Sequence, residues 1–330
     1  MPAPTNTTPP PHTPPDTTVA LWLAPDQALT VGRACAHAGA TILAAGSPIR
    51  GSSAQVALDL RTDHASDLRL VLREAAVDAI VLGDPGDFGA RREDAADLAA
   101  AAERGVRLLT LGACPASLRE YANLRAPESA IPVPVRFAAS APGLTADTLE
   151  SFGSIHATAV TDAGPAPVGD LGARLFAALA TLDRLFGEPE RVDAATTGPA
   201  TETLRNLHGR ASVHLHYDRG RTATAIVSDE GAGEHAGITL MGEGGLIRVA
   251  DGSLRWDGPD GKPVDEPSAD PALRDPAEVL GDALLASLRQ GAGMPIDHGR
   301  LLAAAGAVLL SARTNQPASP DTVRDMATRV

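Results

Sequence analysis

The chain has 330 residues and a formal net charge of −13, with 44% hydrophobic but only 3% aromatic residues. That length allows two domains with sizeable cores, which must be built from Ala, Val, Leu and Ile. Its acidity and lack of any Lys/Arg block argue against nucleic acid or an anionic membrane surface as partner, since both need a clustered basic face; Lys262 is the single lysine beside 27 arginines.

Met1 to Thr18, MPAPTNTTPPPHTPPDTT, is rich in Pro and Thr and has neither an apolar stretch nor a positive start. It reads as a disordered leader, not a signal peptide. VALWLAPDQALTVGRACAHAGATILAAG, Val19 to Gly46, then reads as strand, tight turn, helix and second strand. This is the opening of a dinucleotide-binding domain, except that its turn contains no glycine. Strands are predicted at Val19–Ala24, Thr41–Ala45, Ala79–Leu82 and Val106–Leu111. Helices fall at Asp26–Ala38, Ser66–Ala75 and Arg91–Arg104, the last closed by Gly105. Strands separated by helices imply right-handed βαβ crossovers and a Rossmann-like, doubly wound parallel sheet.

Prolines cluster in RAPESAIPVPVRF, Arg125 to Phe137, and mark a boundary near residue 130. Beyond it strands follow one another: IHATAVT from Ile155, ASVHLHYDRGRTATAIVS from Ala211 with a turn at Asp218 to Gly220, and GLIRVADGSLRWDG from Gly245. Asp251-Gly252 between alternating runs signals a hairpin, because a type I′ turn needs positive φ at both central residues. Asp257 to Pro276, with six acids against two bases, reads as an exposed loop. Helices at Ala277–Gln290 and Gly299–Arg313 close the chain. The expected organisation is α/β plus α+β: a leader at 1–18, a Rossmann-like domain at 19–130, an α+β domain at 131–320 with an open antiparallel sheet flanked by helices, and a tail at 321–330. The longest apolar run, Leu301 to Ala312, is too short to span a bilayer. Cys35 and Cys114 are too few for a disulfide framework, so a reducing cytoplasm is the simplest setting.

AAVDAIVLGDPGDFGARREDAADLAAAAERGVRLLTLGACPAS, Ala75 to Ser117, resembles the region of the glucose-fructose oxidoreductase / inositol dehydrogenase (Gfo/Idh/MocA) family where a "vDaV…TP" strand leads through a helix to "GkhVl.EKP". FGSIHATAV, GDLGARLFAALATLDRLFGEPERVDA, ITLMGEGGLIRVADGSLRW and AEVLGDALLASLRQGAGMPIDHGRLLAAAGAVLLSA resemble that family's C-terminal domain, in order. The resemblance runs from about Val19 to Pro320. It implies a nicotinamide cofactor, NAD or NADP, and a sugar, cyclitol or related polyol oxidised at a hydroxyl. It also implies a Lys from the EKP motif, and an Asp and a His from a "D.G.H" helix start, as the proton-handling residues.

This chain departs at those positions. The EKP equivalent is Ala113-Cys114-Pro115. In GDLGARL, Asp170 and Gly172 match, but Arg174 stands in place of the histidine, or Ala178 if the helix is shifted. Arginine stays protonated and is a poor general base.

The candidate cofactor positions are Ala24, Pro25, Asp26, Gly46, Ser47, Arg50, Asp84, Pro85 and Ala113. Pro25 has no N–H, and the Asp26 carboxylate is placed to cap the helix and take the amides a pyrophosphate would use. Asp84 and Asp87 add negative charge. The second strand ends in Gly46, Ser47 and Arg50 with no ribose-binding acid; Arg50 would favour NADP if a dinucleotide binds, and otherwise is a solvated loop arginine.

Cys114 precedes a predicted helix, which could lower its thiol pKa, although an inert, partly buried cysteine is the plainer reading. His214 and His216 share one strand face but lack a third ligand, so a sheet-surface pair is preferred to a metal site. Asp170 and Arg174, four apart, suggest an ion pair. Three functions stay open: a catalytically degenerate homologue binding a small polar molecule or a partner chain; a divergent NAD(P)-dependent dehydrogenase or related lyase; and a structural subunit that forms a homo-oligomer or pairs with an active paralogue through its C-terminal sheet.

Overall fold

The computed structural model describes residues 17–124, 130–135, 144–199, 201–250, 253–265, 275–289 and 296–328. β1 (Thr18–Trp22), β2 (Thr41–Gly46), β3 (Asp63–His64), β4 (Ala79–Leu82), β5 (Arg107–Thr110) and β6 (Val133–Pro134) form one parallel sheet in the order β3-β2-β1-β4-β5-β6. Its central strands are apolar on both sides, as a sheet covered on both faces requires. Val19, Leu21 and Val81 pack with α1 (Ala28–His37) and α2 (Ser53–Leu60). Ala20, Trp22, Ile80 and Leu82 pack with α3 (Leu68–Glu74) and α4 (Asp94–Glu103) on the other face. α5 (Leu118–Leu124) follows β5.

Two details differ from the sequence reading. The sheet begins within the expected leader, because Thr17 O accepts from Thr41 N–H at 2.8 Å and the Thr18 N–H donates to Asp78 at 2.7 Å; the rest of that leader lies outside the described residues. α2 and β3 also lie where the sequence reading assigns no element.

The second sheet contains β7 (Ile155–Pro165), β8 (Arg191–Thr196), β9 (Arg210–His216), β10 (Thr222–Ser228), β11 (Glu230–Gly242), β12 (Gly245–Ala250), β13 (Ser253–Asp257) and β14 (Pro263–Asp265). Their order is β14-β13-β12-β11-β7-β10-β9-β8. The sheet is mixed, not wholly antiparallel: the chain crosses to β8, returns through the β9–β10 hairpin, and so lays β10 parallel to β7. The Asp251-Gly252 turn lies outside the described residues, but its flanking strands pair from Ala250 to Ser253 as a hairpin requires. β14 falls inside the segment expected to be loop.

α6 (Ala146–Phe152) precedes β7, while α7 (Leu171–Phe186) and α9 (His298–Thr314) cover one sheet face. Leu171, Leu175 and Leu179 meet the inward alternation of Val213, Leu215, Ala225 and Val227. Between them in sequence, α8 (Pro276–Arg289) turns away from this sheet: Leu280, Leu284 and Leu288 complete the core beside α1. Gly281 lets the two helices touch, since a β-carbon there would lie 2.9 Å from Ala34 O. The expected tail is largely α10 (Pro320–Thr328), packed on α9 where Val323 meets Gly306. Among the described residues no helix is long and apolar enough to cross a membrane.

Candidate functional site

In a doubly wound sheet the binding crevice opens beyond the C-terminal ends of the strands where their order reverses, here β1 and β4. The turn after β1 is a single 3₁₀ turn, Pro25–Gln27, whose proline occupies the first position. The side chain of Gln27, not that of Asp26, organises it. Gln27 Oε1 accepts from Ala24 N–H at 2.9 Å, and Gln27 Nε2 donates to Gly83 O at 3.3 Å, joining the turn to the end of β4. The Gln27 N–H donates to Ala24 O at 3.0 Å and the Ala28 N–H to Pro25 O. Asp26 is exposed and caps nothing, because the helix it was expected to cap begins two residues later.

The loops after β2 and β4 meet over the end of β1. Gly86 has φ +58°, and a β-carbon on it would come within 2.6 Å of Pro48. Gly46 lies under the Trp22 ring, with no room for a side chain. Ser47 is buried: its N–H donates to Ser53 Oγ at 3.0 Å and its hydroxyl accepts from Ile49 N–H at 3.2 Å. Arg50 is exposed on the way into α2. Asp84 folds back on its own loop, accepting from Gly86 N–H at 2.8 Å, with Pro85 buried beside it.

The second half packs against the loops at this crevice. The Leu204 N–H donates to Ala116 O at 2.9 Å, and Leu204 O lies so near α7 that only a glycine fits at Gly172. Arg205 donates to Gly86 O, to Phe88 O at 3.0 Å and to Glu120 at 2.8 Å. Between β5, β6 and α7 there remains a cavity of about 10 Å³, lined by Thr110, Gly112, Ala173 and Phe176 among others. That is the volume of roughly one water.

The family-equivalent positions do structural work. Ala113 and Cys114 are buried, and burial pushes the Cys114 thiol up to about 12 against the opposing charge of Arg205. The short helix that follows does not activate it. Asp170 and Arg174 form no ion pair. The Asp170 carboxylate caps α7 by accepting from Ala173 N–H at 2.7 Å. Arg174 is wholly buried and pairs with Asp162 at 2.6 Å and Glu234 at 2.8 Å. Its remaining donors reach Gly169 O and Pro165 O. Ala178, its alternative, is buried inside the same helix.

One titratable group escaped the sequence reading. His208 Nδ1 lies 2.8 Å from Asp229, a buried carboxylate that also accepts from Leu171 N–H at 3.3 Å and Gly209 N–H at 2.7 Å. Asp170 is pushed up to about 6, chiefly by burial, with its cap hydrogen bond and His208 opposing, and Asp229 and Asp84 adding to the rise. On β9, His214 meets Thr224 at 3.1 Å. Among the described residues no group of three or more His, Cys, Asp or Glu is placed to hold a metal ion.

Two coupled sheets, the parallel one carrying the crevice, define a dehydrogenase-type architecture. The fold is that of the Gfo/Idh/MocA oxidoreductases. Over 93% of this chain and 99% of that one, it matches an oxidoreductase from Agrobacterium radiobacter solved with NAD+, L-tartaric acid and magnesium (17% identity, TM-score 0.63). A myo-inositol dehydrogenase from Corynebacterium glutamicum matches over 92% and 98% (16%, 0.58), and levoglucosan dehydrogenase with NADH and levoglucosan over 92% and 98% (14%, 0.63). No protein-family model and no curated protein sequence matches the chain.

The fold implies a nicotinamide dinucleotide across β1 and β4, and the residues present do not fit it. Of the turn residues Pro25 has no N–H and the amides of Ala24, Gln27 and Ala28 are bonded within the chain, β2 ends without a ribose-binding acid, and Pro48 lies against Gly86.

Proposed function

We infer that this chain is a Gfo/Idh/MocA homologue that has given up nicotinamide-dependent hydride transfer and acts as a ligand- or partner-binding protein. The observation that carries this reading is the turn after β1, where Pro25 has no N–H, the Ala24, Gln27 and Ala28 amides are bonded within the chain, and Gln27 ties the turn to Gly83 O. The chemistry agrees with it. A buried neutral thiol stands where a lysine would be, and a fully paired arginine stands where a histidine would be. Neither can take a proton from a substrate hydroxyl.

The partner surface best supported is the uncovered face of the eight-stranded sheet, where Ile226 and Met241 are 54% and 43% exposed. Two copies, or one copy and a paralogue, would bury these residues together. Both cysteines are free and buried, which suits a reducing compartment.

The test is a turnover assay with NAD+ and NADP+ against a panel of sugars, cyclitols and polyols. No reduction of either cofactor is expected. Turnover above 1 s⁻¹ on the order of ordinary enzymes would overturn the reading. A light-scattering mass for wild type and for Ile226→Arg checks the surface: an oligomer that falls to a monomer is expected, whereas unchanged mass would place any pairing elsewhere.

A further inference from the structure

A cleft of about 500 Å³ opens between α5, residues 201–204, α9 and α10. Its volume lies in the range that encloses small-molecule ligands. The floor is aliphatic: Leu204, Leu302 and Leu309 are buried there, and Val323 of α10 forms a wall.

Its rim has the opposite sign to the molecule. Arg92, Arg119 and Arg313 line it against one acid, Glu202, which pairs with Arg313 at 2.8 Å. Arg92 and Arg119 are exposed, and among the described residues their guanidinium groups have no acid or carbonyl partner. In a chain of net charge −13 these two groups make a local anion-attracting edge above an apolar surface. Such an edge selects for an anionic head, because a guanidinium fork matches a carboxylate in two parallel hydrogen bonds. The leucine floor selects for an apolar body.

We propose that this cleft binds a small amphipathic carboxylate, an apolar body bearing one anionic head. The site lies outside the crevice at β1 and β4 and does not depend on whether a cofactor binds there.

Decanoate is the probe, decanol its uncharged counterpart, and calorimetric titration of the full chain the measurement. Saturable binding of one equivalent of decanoate is expected. Ala122→Trp, which fills the cleft from an exposed position on α5, should abolish it. Replacing Arg92 and Arg119 together by alanine should weaken decanoate about tenfold and leave decanol unchanged. A second reading needs no variant: with methyl-labelled methionine, the Met326 resonance in the cleft should shift with decanoate while that of Met241, on the open sheet, stays fixed. The proposal is overturned by non-saturable binding, by binding that survives Ala122→Trp with a still Met326 signal, or by equal losses of decanol and decanoate in the arginine variant. Those outcomes leave the crevice reading untouched.

Discussion

Arg174, at the position that the family resemblance matches to a histidine, is part of the scaffold. Its guanidinium neutralises Asp162 and Glu234 inside the second half, and removing it would leave two nearly buried carboxylates without a cation. Arg174→Ala is therefore expected to cost about 3–5 kcal/mol in urea unfolding. A loss below about 1 kcal/mol would mean that the arginine is held loosely enough to serve a ligand. Asp170 makes the complementary case. Burial pushes its native carboxyl up to about 6, above the ordinary aspartate value of 3.8, so the native state holds the proton more tightly than the unfolded chain. Its contribution consequently favours folding below pH 4, declines as pH rises from 4 to 6, and stays unfavourable above that. Asn at this position keeps the cap and removes the charge. The stability of Asp170→Asn relative to wild type should rise by about 1–2 kcal/mol between pH 4 and 7, and a difference that is flat with pH would contradict the assignment.

At the level of elements, the regular patterns were legible and the contacts between loops were not. Strands β4, β5, β9, β10 and β12 follow from buried or alternating apolar runs, and α9 from its long aliphatic stretch. α8 was recognisable as a helix but not as a part of the first core, because an amphipathic stripe does not say which sheet it covers. Its packing on α1 predicts that residues 17–135 alone expose the apolar surface beside Val31 and Ala34. That fragment should melt without a cooperative transition, whereas a sharp transition would show that α8 is dispensable. The His208–Asp229 pair was within reach of sequence reasoning. A turn at Asp218–Gly220 sets the β9–β10 register, which places Arg210 opposite Ser228 and Gly209 next to Asp229. The contacts made by Gln27, Pro48 and Arg205 had no such signal, since each joins segments that only the tertiary fold brings together. The missing glycines suggest a poor diphosphate site with Asp26 capping the helix; in the structure Asp26 is solvated and Gln27 organises the turn in its place.

For the whole molecule, the two-domain fold of the Gfo/Idh/MocA oxidoreductases is kept, while the turn after β1 bonds most of its own amides. On the function proposed above, the chain keeps two large cores and an open sheet without using the cofactor that the fold implies. The most direct test of that account is calorimetric titration of the full chain with NAD+, NADH, NADP+ and NADPH. With no N–H at Pro25, the Ala24, Gln27 and Ala28 amides bonded internally and Pro48 against Gly86, the expected dissociation constants are weaker than about 1 mM, a binding free energy smaller in size than roughly 4 kcal/mol. Micromolar binding of any of the four would contradict it.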